Sequence, residues 1–89
     1  MTEQDAKRII VQEVINAQGS KLTDLVARKH MIYILAEGLD VVKLVDELIH
    51  EKELVELVYR LPGDHQEKSF ILPANSQVSL NAWIGATLR

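Results

Sequence analysis

The chain contains no cysteine, which excludes disulfides and thiolate-bound metal. That absence fits a reducing compartment. No apolar run is long enough to span a membrane, and the N-terminus is charged rather than signal-like. A soluble, cytoplasmic protein is therefore expected. Aromatic residues are scarce, with only Tyr33, Tyr59, Phe70 and Trp83, so the core must be mainly Leu, Ile and Val. Gly19, Gly38, Gly63 and Gly85 are each isolated, and no glycine-rich loop can cradle a phosphate. An excess of positive charge is missing too: the formal net charge is −3 and the pI is near 5.5, giving no global attraction to nucleic acid.

Catalytic and metal signatures are equally thin. Ser20, Ser69, Ser76 and Ser79 have no nucleophile motif around them. His30, His50 and His65 form no ligand pair. His50 with Asp46 or Glu47 would supply too few strong ligands for zinc. The expectation is a non-enzymatic chain with no cofactor and no metal.

What is present is a small foldable domain. Eighty-nine residues, 47% of them apolar, allow one modest core and exclude wholesale disorder. Thr2 can cap a first helix, with Asp5 at the capping-box position. Ile9, Ile10, Val14 and Ala17 give its buried stripe, Val11 and Ile15 flank it, and Gly19 is the expected stop, so this helix spans about Glu3 to Gln18. Ser20-Lys21-Leu22 is a connector able to make one or two β bridges. Leu22, Leu25 and Val26, then Met31, Ile32, Leu35 and Ala36, predict a second helix ending at Gly38. Two forms of the run after His30 stay open: a helix buried on most sides, or a break followed by a short extended piece.

The most informative stretch follows. Asp40 is a good N-cap. Val41, Leu44, Val45 and Leu48 fall at i, i+3, i+4 and i+7, one stripe of a helix running to about Lys52, and Val42 and Ile49 widen that stripe. Lys43, Asp46, Glu47, His50 and Glu51 take its other side. The period then changes: Leu54 to Leu61 reads as a strand with Val55, Leu57, Tyr59 and Leu61 on one face, and Glu56 and Arg60 on the other. Pro62-Gly63-Asp64 opens a loop to Glu67. Ser69 to Leu72 returns as a strand, and Pro73 should end the ladder or lie on its edge.

This order of helix, short strand, helix, helix, strand, loop, strand resembles the winged helix-turn-helix superfamily over about residues 3 to 73. The segment "ELIHEKELVELVYRL" is similar to that superfamily's junction between third helix and wing. The resemblance implies an α+β fold: a three-helix core, a small antiparallel β-hairpin as the wing, and a C-terminal tail. Residues 1–75 would be the domain and 76–89 the tail. It also implies, for DNA-binding members, a third helix entering the major groove.

The residues argue against that last role here. From Asp40 to Glu56 there are six acids and two bases, a formal charge of −4, whereas DNA affinity comes largely from Lys and Arg neutralising phosphates. The expectation is therefore a small regulatory or adaptor module acting by protein–protein contact. Its partner-binding candidates are Lys43, Asp46, Glu47, His50 and Glu51 on the third helix, and Trp83, Ile84 and Leu88 in the tail. The tail set either folds back on the domain, where burying Trp83 alone would contribute about 2–3 kcal/mol, or reaches a second copy or another protein. The alternative is a DNA-binding regulator using Lys21, Arg28, Lys29 and Lys43. No membrane partner is expected.

Overall fold

Thr2 decides where the chain begins to coil. Its hydroxyl accepts from the Asp5 amide at 3.1 Å, and the Asp5 carboxylate accepts from the Thr2 amide at 3.3 Å. This is the reciprocal capping box. The Thr2 backbone bond, helped by its hydroxyl, holds the Asp5 carboxyl below its ordinary value. The stability so contributed is present above the unfolded pKa and fades as pH falls through the lower folded one. The structure is a computed structural model that describes residues 1–74 and the short strand at 87–88.

Helix α1, Glu3–Ala17, buries Ala6, Ile10 and Val14, and Ile9 and Val11 pack at the edge of the same core. Ile15 faces solvent instead. The helix ends one residue earlier than its glycine predicts. Gln18 takes the left-handed position at φ 55°. Its amide reaches Ile15 O at 3.0 Å, and the Gly19 amide reaches Val14 O at 3.0 Å. These two bonds make a Schellman closure. Gly19 is needed for space. A Cβ there would lie 2.7 Å from Phe70 Cε1 and 2.8 Å from Leu72 Cδ2.

The predicted second helix is two helices. After strand β1, Ser20–Lys21, come α2, Leu22–Val26, and α3, Lys29–Ala36. The break falls at Arg28, whose backbone is extended at φ −68°, ψ 150°, and not after His30. Four helices thus replace the expected three. Nor is α3 buried on most sides: it inserts Met31 and Ile34 into the core and leaves Ile32, Tyr33 and Leu35 exposed.

Helix α4, Val41–His50, starts at Asp40, whose side chain accepts from the Lys43 amide at 3.2 Å. Val41, Leu44, Val45 and Leu48 are buried as the stripe predicts, and Ile49 packs at the core's edge, but Val42 does not widen the stripe: it turns to solvent. The helix closes with Lys52 left-handed at φ 63°, its amide on Ile49 O at 3.1 Å and the Glu53 amide on Leu48 O at 2.9 Å. A residue with a Cβ in this conformation is strained by about 1–2 kcal/mol. Lys52→Gly removes that strain but loosens the unfolded chain by about 0.4–1 kcal/mol. The expected net is a gain of about 0.5–1 kcal/mol in urea-unfolding free energy; a loss would contradict the left-handed assignment.

Strands β2, Leu54–Tyr59, and β3, Lys68–Pro73, pair antiparallel from Leu54↔Pro73 to Tyr59↔Lys68. Pro73 ends the ladder. The connecting loop contains a turn in which the Asp64 amide meets Leu61 O at 3.0 Å, and the Asp64 carboxylate accepts from the Gln66 amide at 3.1 Å. The sheet order is β1-β3-β2-β4, where β4 is Thr87–Leu88 and pairs with Leu57 and Val58. Of the predicted tail, only this strand lies within the described residues; Trp83 and Ile84 fall outside them.

Helices α1, α2 and α4 pack on the antiparallel sheet and α3 packs on those three helices, giving an α+β fold whose core joins Ile10, Leu25, Ile34 and Leu44 to Leu54 and Ile71. Strand β2 differs from its predicted alternation. Leu61 lies beyond its end and is exposed. Glu56 is opposite Ile71 and is buried with it, while Leu57 and Tyr59 are buried on the other face. The predicted polar face of β2 is absent because both sides of this strand are covered.

Candidate interaction surface

Two surfaces bear on function, the outward side of α4 and that of α3. On α4 the sequence placed five polar residues together. The structure separates them. Lys7 of α1 lies 3.3 Å from Glu47 and 2.5 Å from Glu51, drawing both carboxylates to the α1 side. The Glu51 bond, with Glu47 behind it, raises the Lys7 pKa above its ordinary value. Asp46 and His50 point outward, with 59% and 70% of their side chains exposed against 35% for Glu47. His50 donates from Nδ1 to the Asp46 carbonyl at 2.8 Å. With Lys43 and the exposed Val42, these residues make a face of one cation, one anion, an imidazole and an isopropyl group.

The formal −4 of the segment is thus not the charge of this face. Asp40 caps the start of the helix, Glu47 and Glu51 turn to Lys7, Lys52 and Glu53 lie past its end as a pair of opposite charges, and Glu56 is buried in the sheet. Summing along the chain ignores direction; the outward side is nearly neutral rather than strongly acidic.

The basic candidates are also dispersed. Lys21 is on β1, Lys43 on α4, and Arg28 and Lys29 begin α3. Lys21 shares a groove beside the β2–β3 loop with Asp24, Glu67 and Lys68, a setting of mixed sign. Arg28 reaches back to Glu13 of α1 at 3.5 Å, and His30 Nδ1 meets the other oxygen of the same carboxylate. Of these candidates, Lys29 on α3 and Lys43 on α4 are exposed.

Of helix α3 only Lys29 is among the predicted binding residues, as a DNA contact; its apolar residues are not. Its exposed positions Lys29, Ile32, Tyr33 and Ala36 recur at i, i+3, i+4 and i+7, so a second, largely apolar stripe faces away from the core. Ile32 and Tyr33 are each 58% exposed, and Leu35 is 51% exposed on the flank. Alongside runs a groove of about 420 Å³ between α1 and α3, lined by Met1, Ile9 and Tyr33 together with the polar Gln12, Glu13, Asn16 and His30. The signal was in the sequence as the nearly unbroken Met31–Leu35 run. A helix that is apolar all round is normally read as buried, and here it lies at the surface.

Among the described residues no three His, Asp or Glu side chains gather as metal ligands, and no helix is long and apolar enough to cross a membrane. No protein-family model, curated protein or solved structure matches the chain.

Proposed function

We propose that this chain is a small winged-helix module that works by protein–protein contact, as a regulatory or adaptor subunit without catalysis. The observation that carries the reading is the outward face of α3, where Ile32, Tyr33 and Leu35 are more than half exposed. Val42 at the start of α4 is 53% exposed as well. Contiguous exposed apolar side chains on a small domain mark interaction sites. The element order α1-β1-α2-α3-α4-β2-β3 supports the winged-helix resemblance, with α4 as the third helix and residues 60–67 as the wing.

A DNA-binding regulator is the second reading. The observation in its favour is that Glu47 and Glu51 turn toward Lys7, which removes much of the repulsion expected at α4. It gains few contacts in exchange, because Lys43 is the one cation on the outward side of that helix.

Titrating a fluorescent nonspecific duplex of about 20 bp at about 50 mM salt separates the two. Nonspecific DNA binders reach dissociation constants of about 10⁻⁴–10⁻⁶ M even at physiological salt. The expected result is no saturable binding up to about 100 µM protein. Binding that weakens steeply with salt, and is lost in Lys29→Glu/Lys43→Glu, would overturn the protein-contact reading.

A further inference from the structure

We infer that the partner on the α3 face is a second copy of this chain, bound by antiparallel packing of α3 against its symmetry mate. This rests on the protein-contact reading above and names its partner. The stripe Lys29, Ile32, Tyr33, Ala36 has a cation at one end, and Glu37 follows at the other. Eight residues of helix separate Lys29 from Glu37, about 12 Å. A two-fold axis passing near Tyr33 reverses the second helix, so each Lys29 meets the other copy's Glu37, twice over. Isologous contacts require this self-complementarity. Parallel packing would oppose Lys29 to Lys29.

The rest of the rim permits the same arrangement. Glu13 is engaged by Arg28 and His30 within its own chain, so it does not confront its own copy as an unpaired carboxylate. Among the described residues neither Lys29 nor Glu37 has an ion pair or side-chain hydrogen bond within the chain, which leaves both ends of the stripe available. Ala36 supplies a small residue beside the crossing, where two backbones can approach. Ile32 and Leu35 form the ridge, and the groove between α1 and α3 beside Tyr33 can receive a ridge from the other copy. An eight-residue helix with its flanking groove is a small contact, below the area of a permanent dimer, so association belongs in the micromolar range.

The test is sedimentation velocity on the full chain from about 5 µM to 1 mM, the span that brackets such an affinity. The expected mass rises with concentration from 10.1 kDa toward twice that value. Ile32→Asp should stay monomeric throughout. Lys29→Glu and Glu37→Lys should each weaken association by about 5- to 10-fold, since two exposed pairs become repulsive. The two single variants mixed together should associate about as well as the unaltered chain, because each then presents the charge that the other lacks. All these side chains are exposed, and circular dichroism should show every variant folded. A chain that remains monomeric at 1 mM, or a dimer indifferent to Ile32→Asp, overturns the inference. So does a mixture no tighter than its parts, which removes the antiparallel register. The DNA titration reads the underlying reading separately: a monomer that ignores DNA sinks only the self-association, whereas salt-sensitive DNA binding sinks the protein-contact reading itself.

Discussion

Ile71→Ala should lower the unfolding free energy by about 3–4 kcal/mol, within the range for deleting a buried branched side chain. Ile71 is fully buried on β3, the strand flanked by β1 and β2. It faces Ser20 on one side and Glu56 on the other, and α1 and α2 both pack on its strand. A strand held along both edges cannot shift to fill a void, so the cavity term adds fully to the lost transfer energy. Domains of this size have only about 5–15 kcal/mol in total. With a urea slope of about 1–3 kcal/mol per molar, the midpoint should fall by more than about 1 M. Ile32→Ala on the exposed face of α3 is the comparison, and should stay within about 0.5 kcal/mol in the monomer. A loss below about 1 kcal/mol at Ile71 would mean that the helices do not rest on this strand.

Gly19→Ala should cost about 2–4 kcal/mol, although it adds a single methyl group. Two effects combine. The backbone sits at φ +101°, outside the ordinary left-handed well, and a side chain there is strained by about 1–3 kcal/mol. The new Cβ would also meet Phe70 and Leu72 at under 3 Å, an overpacking term of about 1–3 kcal/mol that is eased because both contacts are side-chain ends. Restricting the unfolded chain returns about 0.4–1 kcal/mol. The register explains the crowding. Lys21 is opposite Phe70 and Ser20 opposite Ile71, so Gly19 arrives opposite Leu72, on the same sheet face as Phe70. Thermal unfolding of the alanine variant checks the size, and a cost near zero would mean that α1 does not enter the sheet this closely. Lys52→Gly provides the opposite sign at another helix end, where space is free and only the Cβ is in the way.

Most of the architecture was legible because it follows from local chemistry. Thr2, Asp40 and Pro62-Gly63-Asp64 announce caps and a turn through their own side chains, and the 41–48 stripe has a single period. What was misread depended on direction in space. The Arg28 break has no proline or glycine to mark it, and comes from where the chain must turn to insert Met31 and Ile34. Gly19 looked like a helix stop, yet its neighbour takes that role and the glycine serves a packing contact fifty residues away in sequence. Glu56 looked solvent-facing because alternation assumes one wet face, and this sheet has neither face open at that strand. The site suffered from the same blindness. Glu47 and Glu51 counted as surface charge until Lys7, some forty residues earlier, was seen beneath them, and the α3 stripe counted as core because nothing local says which side of an apolar helix is left over.

Lys7 also settles how the domain meets changes of acidity. Its ammonium is held by Glu51 and Glu47 above the value of a free lysine, while Asp5 and Asp64 are held below that of a free aspartate by the amides they cap. Each of these contacts therefore gives way only beyond the ordinary carboxylate or ammonium range, roughly below pH 4 or above pH 10. Between those limits the Lys7 ammonium keeps its charge beside Glu47 and Glu51, so the link from α1 to the end of α4 does not loosen through that group.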